Sequence, residues 1–146
     1  MRKLLPLVLF VFITSVSSGQ SQDSIKNTST TATVYFFAST YNVYTTSFNA
    51  FIDDELVCRL DDRRYSIHEI KPGKHVFTIQ GGGKKSRQKE KQIELNIEAG
   101  KTYYFQAQVE SLVLAINIFI QEITEGTAKR LLQDKEKIKP QKSCKL

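Results

Sequence analysis

From Val34 onward, apolar residues recur with a period of two rather than 3.6, the signature of half-buried strands. Val34-Tyr35-Phe36-Phe37 is a short aromatic and β-branched run. Phe48, Ala50 and Ile52 share one face of the next segment. After the turn chemistry of Asp53-Asp54-Glu55, Leu56, Cys58 and Leu60 share the inner face of another. Asp61-Asp62-Arg63 turns the chain before Tyr65 and Ile67. Lys71-Pro72-Gly73-Lys74 is a strong turn signal, because Pro presets φ and Gly admits a positive one. Phe77 and Ile79 follow, then Ile93, Leu95 and Ile97. Beyond Ala99-Gly100-Lys101, the residues Tyr103, Phe105, Ala107 and Val109 alternate with Thr102, Tyr104, Gln106 and Gln108. Short strands separated by such turns predict an all-β fold, an antiparallel β-sandwich of about seven to eight short strands. Its predicted core comprises Phe36, Ile52, Leu56, Leu60, Phe77, Ile79, Ile93, Leu95, Tyr103 and Phe105.

Leu112 to Ile120 breaks the alternation, since both sets are apolar apart from Asn117. A strand apolar on both faces needs cover on both. The chain supplies a candidate at once: Ala128, Leu131, Leu132 and Ile138 fall on one helical stripe, with most charges elsewhere. Thr124 or Thr127 is placed to cap this helix and Pro140 to end it. One short C-terminal helix over 124–139 is therefore expected, packed on the outer face of that strand through Leu131 and Leu132. A tail over 140–146 follows it.

The first residues have a different design. Met1-Arg2-Lys3 is a positive lead, Leu4 to Val16 is a short apolar run, and Ser17, Ser18 and Gly19 precede a polar stretch. This is the anatomy of a secretory signal peptide over 1–19, with the cut expected just after Gly19. The apolar run falls short of the roughly 20 residues that span a membrane. No cysteine lies near the junction to take a lipid. Residues 20–32, poor in apolar side chains, read as a flexible polar linker, and 33–123 as the sandwich domain. An exported protein is expected, periplasmic or extracellular, without a lipid anchor and without a transmembrane segment in the mature chain.

Export changes the meaning of the charge. The 21 Lys and Arg outnumber the 15 Asp and Glu, for a formal +6. Loss of Arg2 and Lys3 with the leader lowers this to +4. The excess concentrates in the C-terminal segment and in a loop after Gly81-Gly82-Gly83. In that loop Lys84, Lys85, Arg87, Lys89 and Lys91 can present together to an anionic surface, or serve only as a solvated face. Nucleic acid is not expected as a partner outside the cell.

Catalytic constellations fail on inspection. Gly81-Gly82-Gly83-Lys84-Lys85-Ser86 lacks the second glycine and the following helix of a phosphate loop. There is no Gly-x-Ser-x-Gly elbow, and neither histidine has an evident Ser or Cys partner. His68, Glu69 and His75 flank the Pro72-Gly73 turn, where they read as polar hairpin residues rather than metal ligands. Asp53, Asp54, Asp61 and Asp62 lack the spacing of a calcium loop. No catalytic residue, cofactor or metal is expected. The two cysteines leave two readings open. Cys58 and Cys144 can pair, closing a long loop and pinning the tail. Alternatively Cys58 is a buried free thiol that a mobile tail cannot reach, and Cys144 is exposed. Tyr35, Phe37, Tyr41, Tyr44, Phe51 and Tyr104 fall outside the inner-face sets. They form either a second packed layer or a recognition patch, with Tyr35, Phe37 and Phe51 as its candidates.

Several segments occur in a telling order: Ala32-Thr33-Val34-Tyr35-Phe36-Phe37, then Phe48-Asn49-Ala50-Phe51-Ile52-Asp53-Asp54, then Pro72-Gly73-Lys74-His75, then Ala99-Gly100-Lys101-Thr102-Tyr103-Tyr104-Phe105. This resembles an uncharacterised bacterial domain-of-unknown-function family of small envelope proteins and lipoproteins, and is similar to PEGA-type and transthyretin-like β-sandwich modules. The resemblance covers residues 31–125 and implies an exported β-sandwich with no established catalytic residues. Two departures stand out: the lipobox cysteine of many relatives is absent, and the usual Asp-Gly turn is Asp53-Asp54. The expected function is that of a non-catalytic envelope or periplasmic binding module whose partner is an envelope protein, a glycan or an anionic surface. A lipocalin-like carrier and an enzyme with an unrecognised site are the alternatives. A cavity lined by Phe77, Tyr103 and Phe105 would mark the carrier.

Overall fold

The computed structural model describes residues 30–38, 47–82, 92–112, 115–134 and 138–144, apart from the side chains of 111–116. Alternation does produce strands: β1 (Ala32–Ala38), β2 (Ser47–Ile52), β3 (Glu55–Asp61), β4 (Arg64–Ile70), β5 (Gly73–Gly81), β6 (Gln92–Ile97), β7 (Thr102–Leu112) and β8 (Ala115–Glu122). A helix, α1 (Glu125–Gln133), and a two-residue strand, β9 (Lys139–Pro140), complete the order. They form an all-β sandwich of a five-stranded sheet, β8-β7-β1-β4-β9, and a four-stranded sheet, β3-β2-β5-β6. Pairing is mostly antiparallel, but β1 runs parallel to β7 and β4 parallel to β9. Ala32, expected as the last residue of the polar linker, belongs to β1, where it pairs with Ile70 and is buried; residues 20–29 of that linker lie outside the described residues.

The core is aromatic at its centre. Phe36, Phe77 and Phe105 are fully buried, with ring centroids 4.5 Å apart for Phe77 and Phe105 and 5.7 Å for Phe36 and Phe105. Each such side chain contributes about 1.5–3 kcal/mol by burial, with up to about 1.5 kcal/mol more from ring contact. Ile52, Leu60 and Ile79 are buried as expected, while Ile93, Leu95 and Tyr103 are half-buried against the same cluster. Leu56 departs from the predicted core. Ala50 pairs with Cys58 but Phe51 pairs with Leu56, so Val57 bulges out of register and takes the core contact instead. A bulge of one residue exchanges the faces on either side of it.

The turns settle two further points. Asp53 and Asp54 have φ of 50° and 72°, so the β2–β3 hairpin turns on two aspartates where an Asp-Gly pair is usual. Asp residues tolerate this region because their short polar side chains bond locally. The connections β3–β4 and β4–β5 are not hairpins, since each carries the chain from one sheet to the other. His68 and His75 therefore do not face one another across a hairpin.

The helix departs from expectation in extent and in place. Thr124 caps it, its hydroxyl accepting from the Thr127 N–H at 3.3 Å, but it ends at Gln133 rather than at 139. Ala128 packs with Phe37 and Ile138, against Tyr35, Tyr65, Tyr104, Ile123, Leu131 and Leu132. The helix thus covers β1, β4 and β7, and among the described residues no β8 side chain joins that cluster; the side chains of 111–116, in the strand expected beneath it, lie outside the described ones. The strand order explains this: β8 and β9 are opposite edges of one sheet, so the connection between them crosses its outer face. Ile138, just before β9, then caps that layer, its N–H donating to the Asp134 carbonyl at 3.0 Å, and Lys139–Pro140 pairs with Arg64–Tyr65.

Candidate functional site

Three places gather polar chemistry. The first is a half-open groove of about 360 Å³ where β7 starts, β8 ends and α1 begins. It is lined by Thr102, Tyr103, Tyr104, Glu122, Ile123, Thr124 and Glu125. The Ile123 N–H donates to the Tyr104 carbonyl at 2.9 Å, which seats the strand-to-helix corner beside the Tyr104 ring. That ring lies 5.3 Å from Tyr35 and belongs to the layer under the helix. Burial raises the Tyr104 phenol above its usual pKa, and the Glu125 carboxylate raises it further, so it stays a neutral donor at physiological pH. Glu125 pairs with Lys129 at 2.8 Å, while Glu122 is exposed. A tyrosine ring flanked by carboxylates and hydroxyls suits hydroxyl-rich or cationic groups and repels anions.

The second place is the β2–β3 hairpin. Asp53 accepts from the Val76 N–H at 2.9 Å, and its other oxygen lies 2.6 Å from His75 Nδ1. His75 Nε2 is 2.9 Å from the Lys71 carbonyl. Burial pushes the Asp53 carboxyl upward, but the Val76 N–H and His75 together outweigh it, and its pKa is lowered below 3.8. These bonds tie the hairpin to β5, a structural role.

The third is the disulfide. Cys58 and Cys144 are bonded across 86 residues of sequence, with Cα atoms 4.5 Å apart. The reading of an unreachable Cys58 fails because the tail is held. Lys139 and Gln141 donate backbone N–H groups to the carbonyls of Arg63 and Tyr65 at 3.0 and 2.8 Å. The Gln141 side chain also exchanges two hydrogen bonds with Asp61, each 3.2 Å. With Cys58 on β3 and Cys144 beyond β9, the bond joins the edges of the two sheets and closes one side of the sandwich.

Of the sequence candidates, Lys84, Lys85, Arg87, Lys89 and Lys91 lie outside the described residues, as do Tyr41 and Tyr44 and the leader over 1–19. The aromatic patch does not form. Tyr35 and Phe37 sit under the helix on the five-stranded sheet, with Phe37 fully buried, whereas Phe51 is buried on the other sheet opposite Thr78. Tyr35, Phe37 and Tyr104 are a second packed layer. The feature missed from sequence is the facing of β4. Val34 and Phe36 point into the core, and their partners across the strand pair are His68 and Ser66, so the polar set of β4 faces inward. Tyr65 joins the outer layer, and Ile67 is 49% exposed. His68 packs edge-on against Phe36 at 5.7 Å, its Nε2 lies 2.9 Å from Ser66 Oγ, and burial lowers its pKa. Among the described residues, Cys58, His68 and Cys144 bring metal-ligating atoms together, all within 4.8 Å of one another. No sequence signal placed His68 beside the cysteines, because the register of β4 with β1 decides which face of β4 turns inward. Comparison of the sequence with protein-family models and with curated proteins returns no match.

Proposed function

We propose that this protein is an exported, non-catalytic β-sandwich module that binds a hydroxyl-rich glycan of the cell envelope through the groove at Tyr104, Glu122 and Glu125. The observation that carries the reading is the Cys58–Cys144 bond closing the sandwich edge, because disulfides persist in oxidising compartments. The signal-like leader over 1–19 agrees with it. The packed rings of Phe36, Phe77 and Phe105 occupy the space a carrier's cavity would need, which favours a surface binder over the carrier. The resemblance to small envelope proteins points the same way.

Two measurements test it. Expression of the full chain in a bacterial host should yield an exported product that begins near Gln20 and carries no titratable thiol. A cytoplasmic product with Met1 retained refutes the export. Co-sedimentation of the mature protein with envelope fragments then tests the surface. Tyr104→Ala with Glu122→Gln should abolish retention at low and high salt alike. If replacing Lys84, Lys85, Arg87, Lys89 and Lys91 by Ser is what abolishes it, and only at low salt, the basic loop and an anionic surface are responsible. Exposed charges act over about 10 Å at 0.1 M salt.

A further inference from the structure

β4 breaks the rule that the apolar set of a strand faces the core, and it breaks it beside the disulfide. Its inward residues Ser66 and His68 stand opposite Phe36 and Val34. His68 is half-buried, and Ser66 Oγ at 2.9 Å from Nε2 fixes the ring. Cys58 is fully buried on β3, paired with Ala50, whereas Cys144 is exposed four positions beyond the end of β9. One His68 ring nitrogen and the two sulfurs lie within 4.8 Å of one another. A structural disulfide has no need of an imidazole at that distance, and an apolar residue at position 68 would pack against Phe36 without the cost of burying a polar ring.

We propose that the reduced form of this cluster is a metal site, in which the thiolates of Cys58 and Cys144 and the imidazole of His68 hold one Zn²⁺-class cation. The chemistry balances with a dithiol as reductant. It transfers two electrons into the Cys58–Cys144 bond and is itself oxidised to a disulfide, and its two protons pass to the two cysteine sulfurs. The cation then displaces both protons to solvent. Two thiolates and a neutral imidazole cancel the divalent charge, so the half-buried site carries no net charge. Two cysteines and a histidine make the three-protein-ligand set of an open zinc site. Zn–S bonds of about 2.3 Å in a tetrahedron put the sulfurs about 3.8 Å apart, so they must separate when the bond opens. The pairing of β3 holds Cys58, and the exposed tail beyond Gln141 lets Cys144 move. The fourth position then faces the solvent side on which Cys144 lies. Oxidation and metal binding are mutually exclusive, because both consume the same sulfurs.

The test uses the full mature protein, oxidised and after reduction with a phosphine that is removed anaerobically. Zn²⁺ is titrated against a chromophoric chelator, with Co²⁺ as the spectroscopic probe of a tetrahedral site. Circular dichroism follows the fold throughout. The reduced protein should take up one equivalent of Zn²⁺ and show sulfur-to-cobalt charge transfer, whereas the oxidised protein should do neither. His68→Ala keeps both cysteines, so its fold is verified in the oxidised state before reduction. It should bind about tenfold or more weakly, with an altered cobalt spectrum. If reduction alone unfolds the chain, stoichiometric Zn²⁺ should restore the β-sheet signature. Failure of Zn²⁺ either to bind the folded reduced protein or to refold the unfolded one overturns the proposal. So does a His68→Ala variant that binds as tightly as the wild type.

Discussion

Cys144→Ser is the sharpest perturbation of this fold, because it removes one covalent bond and leaves almost every native contact in place. The tail keeps its backbone bonds to Arg63 and Tyr65 and the two bonds between Gln141 and Asp61. Cys58 remains a small buried apolar residue. The loss therefore falls on the unfolded chain, which regains the freedom of a loop closed across 86 residues. In the chain-entropy account that freedom is about 15 cal/mol/K, or about 4.5 kcal/mol at 25 °C. With an unfolding entropy of about 2.1 cal/mol/K per residue, the midpoint of thermal unfolding should fall by roughly 15–20 °C. Urea titration by circular dichroism supplies a second signature. The slope of stability against urea should rise, because an uncrosslinked unfolded chain exposes more surface. The native spectrum should not change. A thermal midpoint within about 3 °C of the wild type, with an unchanged slope, would refute the cross-link as the closure of the sandwich edge.

Phe105→Ala should cost about 3–5 kcal/mol in urea titration, since it removes the ring between Phe36 and Phe77, and a loss within error would contradict the central packing. Ala128→Leu should cost about 1–3 kcal/mol by overfilling the layer beneath the helix, and a neutral result would show that the helix only rests on the sheet. Asp53 has a folded pKa below its unfolded value, so its contribution is present above about pH 4 and disappears as the pH falls through the folded value. Asp53→Asn tolerates the positive φ of the turn, so stability measured from about pH 6 down to about pH 2 should lose this part of its acid dependence, and an unchanged profile would dissociate Asp53 from the hairpin.

Local chemistry makes much of this protein legible in its sequence. Period-two alternation marks the strands because successive side chains point to opposite faces, as Tyr103, Phe105, Ala107 and Val109 do against Gln106 and Gln108. The Asp53-Asp54 turn and the Thr124 cap are equally local, each satisfied within a few residues. Alternation says which residues share a face, but not which face turns inward when both sets hold apolar residues. On β4, register with β1 sent His68 inward and Ile67 out, because Tyr65 found an apolar layer beneath α1. Val57 displaced Leu56 through a bulge invisible to composition. The sheet each strand joins, the path of α1 across the outer face and the reach of Cys144 to Cys58 all depend on partners far along the chain. Those choices are made by the packing of whole sheets, so only the tertiary structure brought His68 to the two sulfurs.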